Sequence, residues 1–219
     1  MKRIVIIGAG GMAREVKSLI REINRRQPTW EFAGFVVTRL NDLCERDSGE
    51  DVVGDYDWLS ANAQSVDAVA IGIGTPRART KVSEEVRRLL PKVEFPALVH
   101  PTAHMDFDTA QLGEGSLVCC GVVGTVNIIL DSFALCNFGC TVGHEARIGV
   151  GSVVNPGANI SGGVRIGNGV LVGTGAQVLQ YRSVGDYATV GAGAVVTRDV
   201  PSGITVVGIP AKPQAETLR

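Results

Sequence analysis

Aliphatic residues recur every six positions through the second half of the chain. The series is Leu112, Val118, Gly124, Leu130, Cys136, Val142, Ile148, Val154, Ile160, Ile166, Val172, Val178, Val184, Val190 and Val196. Glycine often follows directly, and small side chains recur four positions later. A fixed short repeat of this kind predicts a β-solenoid, in which six residues form one flat side and three sides complete a coil. Fifteen sides predict about five coils around a narrow prism filled by the aliphatic series.

The first hundred residues show short apolar runs that alternate with helical periodicity. We predict strands over 2–8, 30–37, 66–73 and 93–99, helices after residue 11, around 56–63 and over 75–90, and a loop over 38–55. Strand and helix alternating in this way predict a small parallel, Rossmann-like α/β domain. The expected organisation is therefore an α/β domain over 1–101, a solenoid over 102–200 and a C-terminal tail over 201–219. Within the tail we predict a strand-like piece over 204–208, and an extended stretch that begins at residue 209.

Composition and charge narrow the class of protein. Apolar residues make up 45% and aromatics 5% of the chain, and 28 residues are glycine, which agrees with a solenoid of Val, Ile, Ala and Gly. The net charge is −1 without a basic run, so no nucleic-acid partner is expected. No apolar run has the length of a membrane span or of a signal-peptide core. Five cysteines without a secreted framework predict a reduced, cytoplasmic compartment.

A glycine-rich loop follows the first predicted strand. Its pattern, Gly8-x-Gly10-x-x-Ala13, fits a dinucleotide fingerprint, in which backbone N–H groups and a helix N-terminus approach a phosphate. A complete NAD site also needs an acidic residue at the end of the second strand. That strand ends in Val36-Val37-Thr38. We therefore expect a diphosphate ligand such as a nucleotide-sugar, and the alternative is a tight turn without a ligand.

One histidine lies inside the regular repeat. His144 follows the inward Val142 by two positions, near a corner of the prism, and Glu145 is its neighbour. A neutral imidazole is a competent general base near pH 7, and a carboxylate beside it can hold the ring or stabilise the imidazolium. The alternative is a surface histidine with a coincidental neighbour.

Several motifs together carry a resemblance to a known family. They are Gly8-Ala9-Gly10-Gly11, the hexapeptide coils, Asn137, His144-Glu145, Ser161-Gly162-Gly163 and the closing Val207-Gly208-Ile209-Pro210-Ala211-Lys212. In this combination the chain resembles the bacterial sugar acyltransferases with a left-handed parallel β-helix. That family includes nucleotide-amino-sugar N-acetyltransferases and enzymes of the sialic-acid O-acetyltransferase type.

The resemblance implies a homotrimer with acetyl-CoA bound between neighbouring prisms and no metal. It implies that His144 is the general base, supported by Glu145, and that Asn137 bonds near the acceptor nitrogen. The N–H of Gly162, one coil of eighteen residues after His144, would polarise the thioester. The other implied contacts are Gly173, Thr174 and Ala192 along the pantetheine, Pro210 and Lys212 at the far end of CoA, and Gly8, Gly10, Gly11 and Met12 at the acceptor's nucleotide.

The chain departs from the family pattern in three places. Many members have a second histidine where Val153 stands, a histidine where Met12 stands, and an acidic pair at the end of the second strand. We expect an N-acetyltransferase acting on a nucleotide-linked amino sugar in glycan synthesis. The missing acidic pair leaves an O-acetyltransferase on a free sugar or small hydroxylated metabolite as the alternative. The missing second histidine leaves a non-catalytic scaffold or sensor protein as a further alternative.

Three other features carry weaker expectations. Cys119, Cys120, Cys136 and Cys140 lack paired C-x-x-C spacing, so a metal site is not expected. A three-histidine zinc site, as in solenoid carbonic anhydrases, is disfavoured because His100 and His104 precede the regular repeat. The basic face of the 75–90 helix (Arg77, Arg79, Lys81, Arg87 and Arg88) is expected to be solvated, with an anion site as the alternative.

Overall fold

The computed structural model describes residues 1–43, 45 and 47–214, and the side chain of Asp42 is also outside the description. The last five residues of the predicted tail, 215–219, and Cys44 therefore lie outside the described part. The chain forms two compact units, which divide after Pro101. None of the described helices is long and apolar enough to span a bilayer.

The N-terminal unit is a parallel α/β domain. Its elements are β1 (Lys2–Ile7), α1 (Gly11–Arg26), β2 (Trp30–Val36), β3 (Val52–Gly54), α2 (Tyr56–Ala61), β4 (Ala68–Ile71), α3 (Pro76–Leu89) and β5 (Leu98–Val99), with 3-10 turns at Leu40–Asp42, Gly49–Asp51 and Ala63–Ser65. The sheet has the order β3-β2-β1-β4, and all of its pairs are parallel. Ile4 to Ile7 are almost completely buried in the central strand, which explains their continuous apolar run. The predicted Rossmann-like domain is confirmed.

Two predictions about this unit were wrong in detail. The 38–55 segment contains strand β3 and two 3-10 turns, although its polar composition predicted a loop. The 93–99 segment is not one strand: Glu94 makes a single bridge to Ala68, and regular pairing resumes only at β5. Pro96 lies between them, and a proline has no N–H to donate to a sheet.

The second unit contains five solenoid coils built from fifteen two-residue strands. They are β6 (Gln111–Leu112), β7 (Leu117–Val118), β8 (Val123–Gly124), β9 (Ile129–Leu130), β10 (Leu135–Cys136), β11 (Thr141–Val142), β12 (Arg147–Ile148), β13 (Val153–Val154), β14 (Asn159–Ile160), β15 (Arg165–Ile166), β16 (Leu171–Val172), β17 (Gln177–Val178), β18 (Ser183–Val184), β19 (Thr189–Val190) and β20 (Val195–Val196). Each strand pairs in parallel with the strand eighteen residues away, as Val142 does with Ile160. The second residue of each strand belongs to the six-residue series, and nearly all of these side chains are fully buried. The predicted left-handed β-helix of about five coils is confirmed.

The corners of the prism share a backbone feature. From residue 115 to residue 193, every sixth residue has a positive φ, and these fourteen residues are called the left-handed positions below. Nine are glycine, which adopts this conformation without steric cost. The other five are Asn127, Phe133, Glu145, Tyr181 and Tyr187.

The strand-like piece predicted over 204–208 is confirmed, but the stretch from residue 209, predicted as an extended tail, turns back to form a hairpin. β21 (Thr205–Val207) continues one sheet of the prism, and β22 (Lys212–Pro213) pairs with it in the antiparallel sense. The turn between them lies against β20: the N–H of Val195 donates to Gly208, and the N–H of Ala211 donates to the carbonyl of Val195. The segment that ends at Gln214 is thereby fixed to the last coil.

Candidate active site

Two corners of the prism carry the predicted residues of the second unit. The His corner comprises residues 125–127, 143–145, 161–163 and 179–181, and the Thr corner comprises 119–121, 137–139, 155–157, 173–175 and 191–193. His144 and Glu145 form the turn of the His corner, after β11. Their side chains are 51% and 62% exposed, and His144 Nδ1 lies 3.8 Å from Glu145 Oε2. This distance is too long for a hydrogen bond, but it places a negative charge beside the ring.

The imidazole of His144 lies over the Cα of Gly162. A Cβ on Gly162 would collide with the ring, and Nε2 is the ring atom that it would approach most closely. The N–H of Gly162 makes no hydrogen bond to any described residue, whereas the N–H of Gly163 donates to the carbonyl of His144 at 2.7 Å. The eighteen-residue register therefore brings Nε2 and a free N–H donor together, while Nδ1 faces the carboxylate.

The absence of a side chain at residue 162 follows from this contact. The equivalent position, directly before each left-handed position, occurs thirteen other times in the repeat. It carries a residue with a side chain each time: Glu114, Cys120, Val126, Ser132, Phe138, His144, Val150, Pro156, Asn168, Thr174, Gln180, Asp186 and Ala192. The backbone of Gly162 does not have a positive φ, so the turn itself does not require glycine. Glycine is required here because the ring of His144 occupies the space of a side chain.

The other predicted residues of the solenoid lie on the Thr corner. Gly173, Thr174 and Ala192 follow one another along that edge, and Asn137 lies further back on the same edge. Asn137 is 8% exposed, and its Oδ1 accepts a hydrogen bond from the N–H of Phe138 at 2.9 Å. Within one chain these four residues are therefore apart from His144, since one flat side of the prism lies between the two corners.

The closing hairpin brings Pro210 and Lys212 to the end of the Thr corner. Val207 pairs with Lys212, and the side chain of Val207 lies over Gly191, next to Ala192. The residues predicted along the pantetheine and at the far end of CoA are therefore continuous on one surface.

The glycine loop lies at the carboxyl ends of β1 and β4. Gly8 has a φ of 105° and approaches the carbonyl of Gly72, while Met12 is half-buried beside Gly74. Gly10 caps α1 without any side-chain hydrogen bond, and the first turn of α1 has no acidic residue. The free N–H groups and the helix dipole are therefore available to an anion.

A small cavity of about 150 Å³ opens beside this loop. Its lining residues are Ile7, Gly8, Val37, Thr38, Leu43, Asp47 and Ile73. It lies next to β1 and β4, where the strand order reverses and where ligands of doubly wound sheets bind. The sequence did not indicate Asp47, whose Oδ1 lies 3.4 Å from the Cβ that Gly10 lacks. A carboxylate is therefore present beside the glycine loop, although none stands at the end of β2.

Arg79 corrects the expectation that the basic face of α3 is solvated. Its side chain is completely buried, and it donates to the carbonyl of Ile71 at 2.6 Å and to that of Ile73 at 3.1 Å. Both carbonyls belong to the segment that leaves β4 and contacts Gly8 through Gly72. Arg79 therefore fixes one wall of the glycine-loop site and places a positive charge beneath it.

Three of the four solenoid cysteines are packing residues. Cys119, Cys136 and Cys140 are buried inside the prism. A hydrogen bond with Cys140 and burial both raise the pKa of the Cys136 thiol, so it stays protonated and is a poor metal ligand. Within the described part of the chain, no three His, Cys, Asp or Glu side chains converge as a metal site would require.

Comparison with known proteins identifies relatives over nearly the full length. Residues 3–86 match the PglD N-terminal domain family. A histidine-to-asparagine variant of perosamine N-acetyltransferase from Caulobacter crescentus, in complex with CoA and GDP-perosamine, is 29% identical over 99% of this chain and 98% of that chain, with a TM-score of 0.88. No curated protein gives a significant match.

Two further structures show the same correspondence. The acetyltransferase domain of PglB from Neisseria gonorrhoeae FA1090 is 30% identical over 98% of this chain and 100% of that chain, with a TM-score of 0.84. WeeI from Acinetobacter baumannii AYE is 29% identical over 98% and 100%, with a TM-score of 0.81. Sequence identity and full-length coverage agree with the geometry of the two units. The chain therefore belongs to the left-handed β-helix sugar N-acetyltransferase family.

Proposed function

We propose that this protein transfers the acetyl group of acetyl-CoA to the amino group of a nucleotide-linked amino sugar, with His144 as the general base. The observation that carries the proposal is the contact of His144 with Gly162, which holds Nε2 beside an N–H donor without a partner. The relatives support the substrates: one structure contains CoA with GDP-perosamine, and the PglB domain has been solved with acetyl coenzyme A.

The reaction needs little beyond positioning, because a thioester is already activated. The acceptor nitrogen attacks the thioester carbon while Nε2 of His144 takes its proton. The N–H of Gly162 donates to the oxygen as it becomes negative, and Glu145 stabilises the imidazolium through its charge. When the carbonyl re-forms, the carbon–sulfur bond breaks, and CoA leaves as a thiolate that the imidazolium can protonate.

The N-terminal unit supplies the acceptor site in this proposal. The uncapped start of α1, at Gly10 and Gly11, would hold the diphosphate, and Met12 would lie beside it. The cavity at the strand ends would take the neighbouring part of the nucleotide. Asp47 offers a carboxylate to a ribose hydroxyl or a base N–H, a role that the acidic pair of other members would otherwise fill. Acetyl-CoA as cosubstrate agrees with a cytoplasmic location.

We expect turnover with a nucleotide-linked amino sugar and at least about a hundredfold less with the free amino sugar, because the nucleotide anchors the acceptor. CoA release would be followed with acetyl-CoA and a panel of GDP-, UDP- and dTDP-linked amino sugars, each beside its free sugar. A matched hydroxyl sugar in place of the amino sugar serves as the control for O-acetylation. Equal rates with free and nucleotide-linked sugars would contradict the proposed acceptor.

The separation of the two corners supports a homotrimer with shared active sites. His144 and Gly162 lie on one edge of the prism, whereas Asn137, Thr174 and Ala192 lie on another. A site that uses both sets therefore requires two prisms side by side, with the His corner of one against the Thr corner of the next. In this arrangement Asn137 of one subunit would bond near the acceptor nitrogen that faces His144 of its neighbour.

Mixed trimers test this arrangement. His144→Ala and Ala192→Trp each remove one half of the site, so each variant alone should be inactive. In trimers reassembled from equal amounts of both, about a quarter of the sites combine an intact His corner with an intact Thr corner. We expect CoA release to recover to that level. If the mixture stays inactive although mass measurements show mixed trimers, each chain must form its site alone.

A further inference from the structure

Tyr181 occupies one of the four left-handed positions on the His corner, and the other three are Asn127, Glu145 and Gly163. Its φ is 59°, a conformation that glycine provides at nine of the fourteen left-handed positions, and 62% of the residue is exposed. A side chain in this conformation is less stable than glycine would be, and an exposed ring offsets little of that cost by burial. Strained residues of this kind are concentrated at functional sites.

The ring of Tyr181 lies beside the proposed oxyanion donor. Its backbone N–H donates to the carbonyl of Gly162 at 3.0 Å. A Cβ on Gly163 would collide with the Tyr181 ring, just as a Cβ on Gly162 would collide with His144. His144 comes from the preceding coil and Tyr181 from the following one, so their backbones are about 10 Å apart. The two glycines thus form the floor of a notch, and the two rings form its walls.

We propose that Tyr181 binds the thioester end of acetyl-CoA as the wall of the notch opposite the base. This inference rests on the proposed function. The acceptor nitrogen must approach from the side of His144, because Nε2 takes its proton. Ala192 and the closing hairpin, which we assign to the rest of the cosubstrate, belong to later coils. The pantetheine therefore leaves the notch past Tyr181, whose ring face suits its carbon and sulfur atoms.

Tyr187 offers an internal control for a purely structural role. It also occupies a left-handed position, with a φ of 58°, and is 52% exposed. Its ring covers Gly169, and its N–H donates to the carbonyl of Asn168 at 2.8 Å. It lies on the third corner of the prism, away from His144. The two tyrosines therefore share backbone conformation and packing and differ in what lies beside them.

The test compares Tyr181→Gly with Tyr187→Gly. Both variants should keep or raise Tm, because glycine relieves the left-handed conformation. We expect only Tyr181→Gly to weaken acetyl-CoA, with about a tenfold rise in both its KM and its Kd by calorimetry, and with little change in the KM of the amino sugar. Tyr181→Phe should retain most of the affinity.

Two outcomes would overturn the inference. One is an unchanged Kd for acetyl-CoA in Tyr181→Gly, and the other is an equal loss in Tyr187→Gly. The calorimetric readout does not depend on the acceptor. A wild-type protein that binds acetyl-CoA but acetylates no amino sugar would therefore contradict the proposed function, while the comparison of the two variants would still decide the role of Tyr181.

Discussion

Replacing His144 by alanine should lower kcat by about a hundredfold to ten-thousandfold, the range typical for removal of a positioned general base. The reason is the placement of Nε2 over Gly162, which no other titratable group in the described part of the corner shares. Steady-state CoA release would measure the loss.

His104→Gln is the matched control. His104 is also exposed and bridges the first coil through its backbone, but it lies outside the His corner. This variant should retain wild-type activity. His144→Ala should in turn retain the wild-type Tm, trimer mass and Kd for acetyl-CoA, since the side chain is half-exposed. A His144→Ala enzyme with normal turnover would remove His144 from the mechanism.

Gly162→Ala should lower kcat by about a hundredfold or more, although it adds one methyl group. The new Cβ would meet the imidazole of His144, so the ring must leave its place over the turn. A catalytic group displaced by about 1 Å can lose this much rate. Stability should change little, because the side chain of His144 can swing into solvent and residue 162 has an ordinary φ.

A double-mutant cycle separates displacement of the ring from other effects. In the His144→Ala background the ring is absent, so Gly162→Ala should cost little further activity. The interaction energy between the two substitutions would then nearly equal the whole effect of Gly162→Ala. Additive losses would show instead that the methyl group acts on the thioester or on the backbone donor.

The sequence predicted the solenoid and the meeting of His144 with Gly162 because both depend on one register. Parallel strands stack equivalent positions, so a difference of eighteen residues becomes a contact between neighbouring coils. The start of α1 could also be predicted from sequence, since glycines between a strand and a helix indicate a tight turn. These features are local or periodic, and both kinds of pattern can be detected in the linear sequence.

The features that sequence did not reveal depend on contacts without a period. Arg79 lies on an amphipathic helix, and its spacing does not show that the side chain turns inward to carbonyls at the end of β4 and just after it. Asp47 reaches Gly10 from a loop whose path no pattern determines. For Tyr181 a signal existed: nine of the fourteen positions spaced by six from residue 115 to residue 193 are glycine, and an aromatic residue stands at position 181.

The closing hairpin is fixed to β20, so the distance between the two ends of the proposed acetyl-CoA surface is also fixed. The notch at Gly162 and the hairpin are held apart by a whole number of rigid coils, each about 4.8 Å high. Loss of one eighteen-residue coil between them would keep every inward side chain in register and would leave the fold intact. It would nevertheless shorten the path available to the pantetheine by one coil height. On the proposed placement of acetyl-CoA, the number of coils therefore sets the length of pantetheine that this surface can hold.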